Sequence, residues 1–112
     1  MQVNTEVQDT MLILKPMNKR LDAAEALNFK AFFFDQVEKG HARIGIDFSE
    51  VEFIDSSGLG CLVSCLKHIG TRGSLCLCNP QSAVQTTFKL SRMDKVFRIF
   101  DSREAMVAQS SG

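Results

Sequence analysis

Residues 44–60 read Ile-Gly-Ile-Asp-Phe-Ser-Glu-Val-Glu-Phe-Ile-Asp-Ser-Ser-Gly-Leu-Gly, and they carry the chain from a buried strand through an acidic loop into a helix. Ile44, Ile46 and Phe48 alternate as a strand does. A turn follows, and Val51, Phe53 and Ile54 return the chain to the apolar core ahead of Asp55-Ser56-Ser57-Gly58. From Leu59 onward the apolar spacing is that of a helix. The free N–H groups and positive dipole end of this helix face the adjacent serines, a place where a phosphate is well tolerated. Gly58 and Gly60 are expected to let the loop and the helix start pack tightly, and Ser57 to cap the helix.

Working outward, Val3, Thr5 and Val7 alternate with polar neighbours, and Met11 to Lys15 resumes as an apolar run, which predicts an opening hairpin. Asp22, with Glu25 three residues on, predicts the capped start of a helix that reaches Glu38 and stops at Gly40. Ala26, Phe29, Phe33 and Val37 are its core face, leaving Leu27, Ala31 and Phe34 as a second apolar flank, partly covered or open to a partner. Residues 42–48 form the third strand, and Leu59, Leu62, Val63, Leu66 and Ile69 line the second helix, which Gly70 ends. Ser74 to Cys78 is a short strand with Leu75 and Leu77 on one side and Cys76 and Cys78 on the other. Asn79-Pro80 breaks it, and Ser82 caps a third helix to about Leu90. Val96 to Phe100 is the last strand, and Ser102 caps a helix from Arg103 to about Ala108. The order β-β-α-β-α-β-α-β-α predicts an α/β domain with a mixed, mostly parallel sheet, an N-terminal hairpin and four helices. The domain is expected to fill residues 1–108, with 109–112 as a flexible tail.

A chain of 112 residues with 45% hydrophobic side chains is long enough for a core without disulfide or metal staples. Thirteen basic residues balance thirteen acidic ones. That neutrality speaks against nucleic acid, whose partners carry a strong basic field, and no field suited to anionic lipid is evident overall. Met1 to Thr5 lacks a basic segment leading into an apolar run, and no stretch approaches the about 18 apolar residues of a membrane span. A soluble cytoplasmic protein is expected.

Cys61, Cys65 and His68 fall at helical spacing on one face, which raises a metal site, but Cys76-Leu77-Cys78 is too tightly spaced for common zinc knuckles. The reading taken is reduced thiols that pack the interior. Catalysis is not expected. His41 and His68 are remote from Ser56 in sequence, and neither a Gly-x-Ser-x-Gly elbow nor a phosphate loop with lysine is present.

Asp47 to Gly60, with its acidic strand end followed by Asp-Ser-Ser-Gly-Leu, resembles the signature of the STAS domain family, and within it the small free-standing anti-sigma factor antagonists of bacteria. Arg20 to Ala26 and Asn79-Pro80 extend the likeness along the chain. The resemblance implies phosphorylation of Ser56 and a partner-binding set of Asp22, Asp47, Asp55, Ser56, Ser57, Gly58 and Leu59. The implied partners are an anti-sigma factor with serine kinase activity and a PP2C-type phosphatase, with room for a homodimer. The unphosphorylated protein would bind the anti-sigma factor, and the phosphorylated protein would not. No cofactor is implied for this chain, since ATP belongs to the kinase. A docking subunit of a lipid-transport ABC system, or a scaffold unconnected to a sigma factor, is the other role the family offers.

Overall fold

The computed structural model describes residues 1–109. Strands β1 (Val3–Gln8) and β2 (Met11–Pro16) form the expected antiparallel hairpin. Asp9 and Thr10 turn the chain between them with φ of 48° and 70°, the backbone a tight hairpin turn demands. The short strand β3 (Arg20–Leu21) leads into α1 (Ala23–Glu38), then come β4 (Arg43–Asp47), β5 (Phe53–Ile54) and α2 (Ser56–Ile69). After β6 (Ser74–Cys78), α3 (Ser82–Leu90), β7 (Arg98–Phe100) and α4 (Arg103–Gln109) complete the domain. The main sheet has the order β1-β2-β4-β6-β7 and is parallel beyond the first pair.

Strand alternation divides the core between two sheet faces. Leu12, Leu14, Ile44, Ile46, Leu75 and Leu77 meet α1, α2 and α3, whereas Met11, Ile13, Cys76 and Cys78 meet Met106 and Val107 of α4. Gly45 makes room on the second face, because a Cβ there would strike the ends of Met106 and Met11. In α1 the buried side chains are Ala26, Phe29, Phe33 and Val37, the face expected from the 3.6-residue period.

Several boundaries differ from those expected, each for a local reason. Helix α2 starts at Ser56, not at Leu59, because Asp55 caps it. Its buried stripe is centred on Gly58, Cys61, Leu62, Cys65 and Ile69, while Leu59, Val63 and Leu66 lie at the margin. Gln81, not Ser82, occupies the cap position of α3, and its side chain makes no capping bond. Strand β7 begins only at Arg98, because Val96 and Phe97 both donate backbone hydrogen bonds to Met93 O and so prolong the preceding turn. Ser102 does cap α4, accepting from the Ala105 N–H at 3.1 Å. Gln109, expected to open the tail, is the last residue of α4, and residues 110–112 lie outside those described.

Candidate functional site

The serines are positioned by a feature that spans two distant parts of the chain. β3 and β5 pair in parallel, Arg20 with Phe53 and Leu21 with Ile54. Each strand is followed at once by an aspartate in extended conformation that caps a helix. Asp22 accepts from the Glu25 N–H at 3.3 Å, and Asp55 from the Gly58 N–H at 2.9 Å. The N-termini of α1 and α2 therefore emerge side by side. Gly58 is required by this arrangement, since a Cβ there would run into the carbonyl oxygen of Leu21 and into Ile54. Gly60 is not: a Cβ at that position would meet nothing within 4 Å, which corrects the expectation that both glycines serve close packing.

Ser56 and Ser57 are the first two residues of α2, and both are exposed. Asp55, half-buried, performs the capping that was expected of Ser57. Among the described residues neither serine hydroxyl makes a hydrogen bond. The Gly58 N–H is taken by Asp55 and the Leu59 N–H by the Asp55 carbonyl, which leaves the Ser56 and Ser57 N–H groups as the open donors of the helix. Asp22 is half-buried beside Arg20, Gly58 is buried, and Leu59 packs partly against the core.

Asp47 departs from the partner-binding role expected for it. Its residue is 3% exposed, and its carboxylate accepts from the Ser49 N–H at 2.9 Å, from Asn79 Nδ2 at 3.3 Å and from Arg103 Nη2 at 2.9 Å. Burial alone would raise its pKa, but the Ser49 N–H, the Arg103 guanidinium and Asn79 outweigh burial and hold it below the ordinary aspartate value. This carboxylate braces the ends of β4 and β6 against α4. The contributors were missed because Arg103 lies 56 residues away in sequence.

No Lys or Arg lies between Arg43 and Lys67 in the sequence, yet the acidic loop in that stretch is not isolated from basic residues. β3 brings Lys19 and Arg20 beside it: Lys19 O accepts from the Glu52 and Phe53 N–H groups, and the Arg20 guanidinium lies 4.3 Å from the Phe53 ring centre and 3.6 Å from Asp22. Phe53 is accordingly exposed to solvent and stacked under Arg20, not returned to the core, whereas Val51 and Ile54 are buried. The repeated pattern of an apolar residue followed by a capping Asp, at Leu21-Asp22 and Ile54-Asp55, was the available signal.

The second flank of α1 is split. Leu27 is 71% exposed and borders a shallow groove between α1 and α2 with Ala23, Lys30, Ser57, Gly60 and Ser64. Phe34 is covered: His68 stacks on it with ring centres 3.8 Å apart and 9° between planes, and His68 Nε2 lies 3.0 Å from Glu38. His68 is thus turned toward α1. All four cysteines are buried and free, and burial and the Asp47 charge push the Cys78 thiol up to about 12. Among the described residues no group of three His, Cys, Asp or Glu side chains is placed to hold a metal.

Comparison with known proteins places this geometry in context. The STAS domain model matches residues 2–106. A Thermotoga maritima protein named "Putative anti-sigma factor antagonist" is 36% identical over 104 residues, covering 90% of this chain and 91% of the relative. A crystal structure of a Thermotoga maritima protein of the same description superposes with a TM-score of 0.86 at 30% identity, over 96% of this chain and 92% of that one. The Bacillus cell fate determinant SpoIIAA in its phosphorylated form shares the fold, with a TM-score of 0.71 at 19% identity over 97% of this chain and 99% of that one.

Proposed function

The chain belongs to the STAS domain family, and from that premise we propose that it is an anti-sigma factor antagonist whose binding is switched by phosphorylation of Ser56. The carrying observation is the state of Ser56 itself. Its hydroxyl is exposed and unbonded at the first position of a 14-residue helix, beside open N–H donors. A kinase can reach it without unfolding anything. The dipole and donors at that end favour a phosphate, so the modified protein keeps its fold.

The switch then acts on the partner. A phosphate adds a charge of about −1.5 to −2 and a tetrahedral group to a surface that otherwise presents neutral hydroxyls. Glu50, Glu52 and Asp55 next to it deepen the negative field. An interface shaped for unmodified Ser56 and Ser57 loses both its fit and its charge match, and the anti-sigma factor is released. Asp22, Asp55, Ser56 and Ser57 present this surface, Leu59 flanks it, and Gly58 holds the two helix starts together. The kinase activity and ATP belong to the anti-sigma factor, a PP2C-type phosphatase resets the switch, and the setting is the cytoplasm.

The test compares Ser56→Ala with Ser56→Asp by calorimetry against the purified anti-sigma factor of the same organism, alongside phosphopeptide mapping after incubation with ATP. Label on Ser56, retained binding for the alanine variant and lost binding for the aspartate variant are expected. Label confined to Ser57 or Ser49, or equal affinities for the two variants, would overturn the assignment.

A further inference from the structure

Strand β1 forms one edge of the main sheet, with β2 as its only neighbour among the described residues. The Met17 N–H donates to Gln2 O at 2.9 Å, and Gln2 stands opposite Met17 in the same register that pairs Val3 with Pro16. Hydrogen-bonded and non-bonded pairs alternate along an antiparallel ladder, so Asn4, Glu6 and Gln8 turn their N–H and C=O groups toward β2. Val3, Thr5 and Val7 turn theirs outward. Among the described residues these outward groups have no hydrogen-bond partner.

The features that normally protect such an edge are missing from this one. The strand reads Val3-Asn-Thr-Glu-Val-Gln8, with no proline, no lysine and no bulge in its register. Its single charge, Glu6, is already held on the α4 face of the sheet by Arg103 at 2.9 Å and by Gln8 Nε2 at 2.6 Å. On the opposite face Val7 is 61% exposed, while Val3 packs partly against the core.

We propose that two copies of this chain join edge to edge through β1, antiparallel and centred on Thr5. In that register Val3 of each copy stands opposite Val7 of the other and Thr5 opposite Thr5, so every outward N–H meets an outward C=O. Val7 is covered by the second copy's Val3, and on the α4 face Glu6 stands opposite the neutral Asn4. Centring the pair on Glu6 would set that carboxylate against its own copy, and centring it on Asn4 would leave Val7 opposite Met1, outside the strand. The strand is thus complementary to itself in one register. This two-fold pairing is closed, whereas a head-to-tail run would have to match the six residues of β1 with the three of β7 at the other edge. A seam of one strand a side is small for a stable complex, so the dimer is reversible, with a dissociation constant in the micromolar range.

Sedimentation equilibrium of the protein alone tests this, and its outcome does not depend on the reading of Ser56. A concentration-dependent dimer is expected. Thr5→Pro removes an outward N–H with no partner within its own chain, a position where an edge strand tolerates proline, so it should abolish the dimer with little change in melting temperature. Val7→Lys should weaken dimerisation by at least about tenfold. Under mild oxidation Thr5→Cys should cross-link to its own copy, because such a pair holds its Cα atoms about 5.5 Å apart. Val7→Cys should not, since the two copies of Val7 lie four residues, about 13 Å, apart along the seam. The four native cysteines are buried and do not compete. A monomer at every concentration, a dimer that neither Thr5→Pro nor Val7→Lys weakens, or cross-linking of Val7→Cys equal to that of Thr5→Cys would overturn the proposal.

Discussion

Asp47 and Arg103 meet at 2.9 Å across 56 positions of sequence, joining the end of the central strand β4 to the last helix. Arg103 also holds Glu6 at 2.9 Å, so one guanidinium links the edge hairpin, the sheet centre and α4. Removing it strands a buried carboxylate.

Arg103→Ala should lower stability at neutral pH by about 2–4 kcal/mol, below the upper end for a fully buried pair because Arg103 retains some exposure to water. The pH dependence separates this from simple loss of packing. In the wild type the Asp47 pKa is depressed, so its contribution is present above the ordinary aspartate value of about 3.9 and is lost as pH falls through that value toward the lower folded one. Without Arg103, burial is less opposed and the deficit should shrink in acid. Urea unfolding of both proteins at neutral and acid pH measures it. A deficit that stays constant with pH would mean that the charge pair is not the cause.

The two glycines of α2 should respond in opposite directions. Gly58→Ala forces a methyl group against the Leu21 carbonyl and should cost about 1–3 kcal/mol. Gly60→Ala places its methyl in open space and should stabilise by up to about 1 kcal/mol through helix propensity. Thermal melts of the pair decide it, and a loss at Gly60 equal to that at Gly58 would contradict the packing described.

Three apolar residues of α1 form a graded series. Phe33→Ser should cost about 3–5 kcal/mol, since Phe33 is fully buried. Leu27→Ser should stay within about 0.5 kcal/mol. Phe34→Ser should fall between, because it loses the stack on His68. Denaturation midpoints give the order, and a Phe34 variant indistinguishable from wild type would show that the His68 stack contributes nothing.

The two thiols of β6 should be inert in the folded state. With Cys78 pushed up to about 12, hardly any thiolate is present near pH 8, and Cys76 is equally buried beside it. Iodoacetamide should label both only on unfolding. Rapid labelling of native Cys78, read by peptide mass spectrometry, would show that this strand opens readily.

The order of the five main-sheet strands and four helices, though not the short strands β3 and β5, the buried face of α1, the split of β6 into a leucine side and a cysteine side and the caps at Asp22 and Ser102 were legible in the sequence. These are local properties, written in periods of 2 and 3.6 residues and in side chains that bond within their own turn. The stretch from Asp47 to Gly60 was legible through its resemblance to the STAS signature, not through a period. What the sequence could not determine depended on partners remote along the chain. The pairing of Leu21 with Ile54 starts α2 at Ser56 and makes Gly58, but not Gly60, sterically necessary. Arg103 turns Asp47 from a surface acid into a buried brace, and His68 closes over Phe34. A short strand pair, an ion pair and a ring stack leave no periodic trace, because each needs only one or two residues from each element, brought together by the packing of the whole domain.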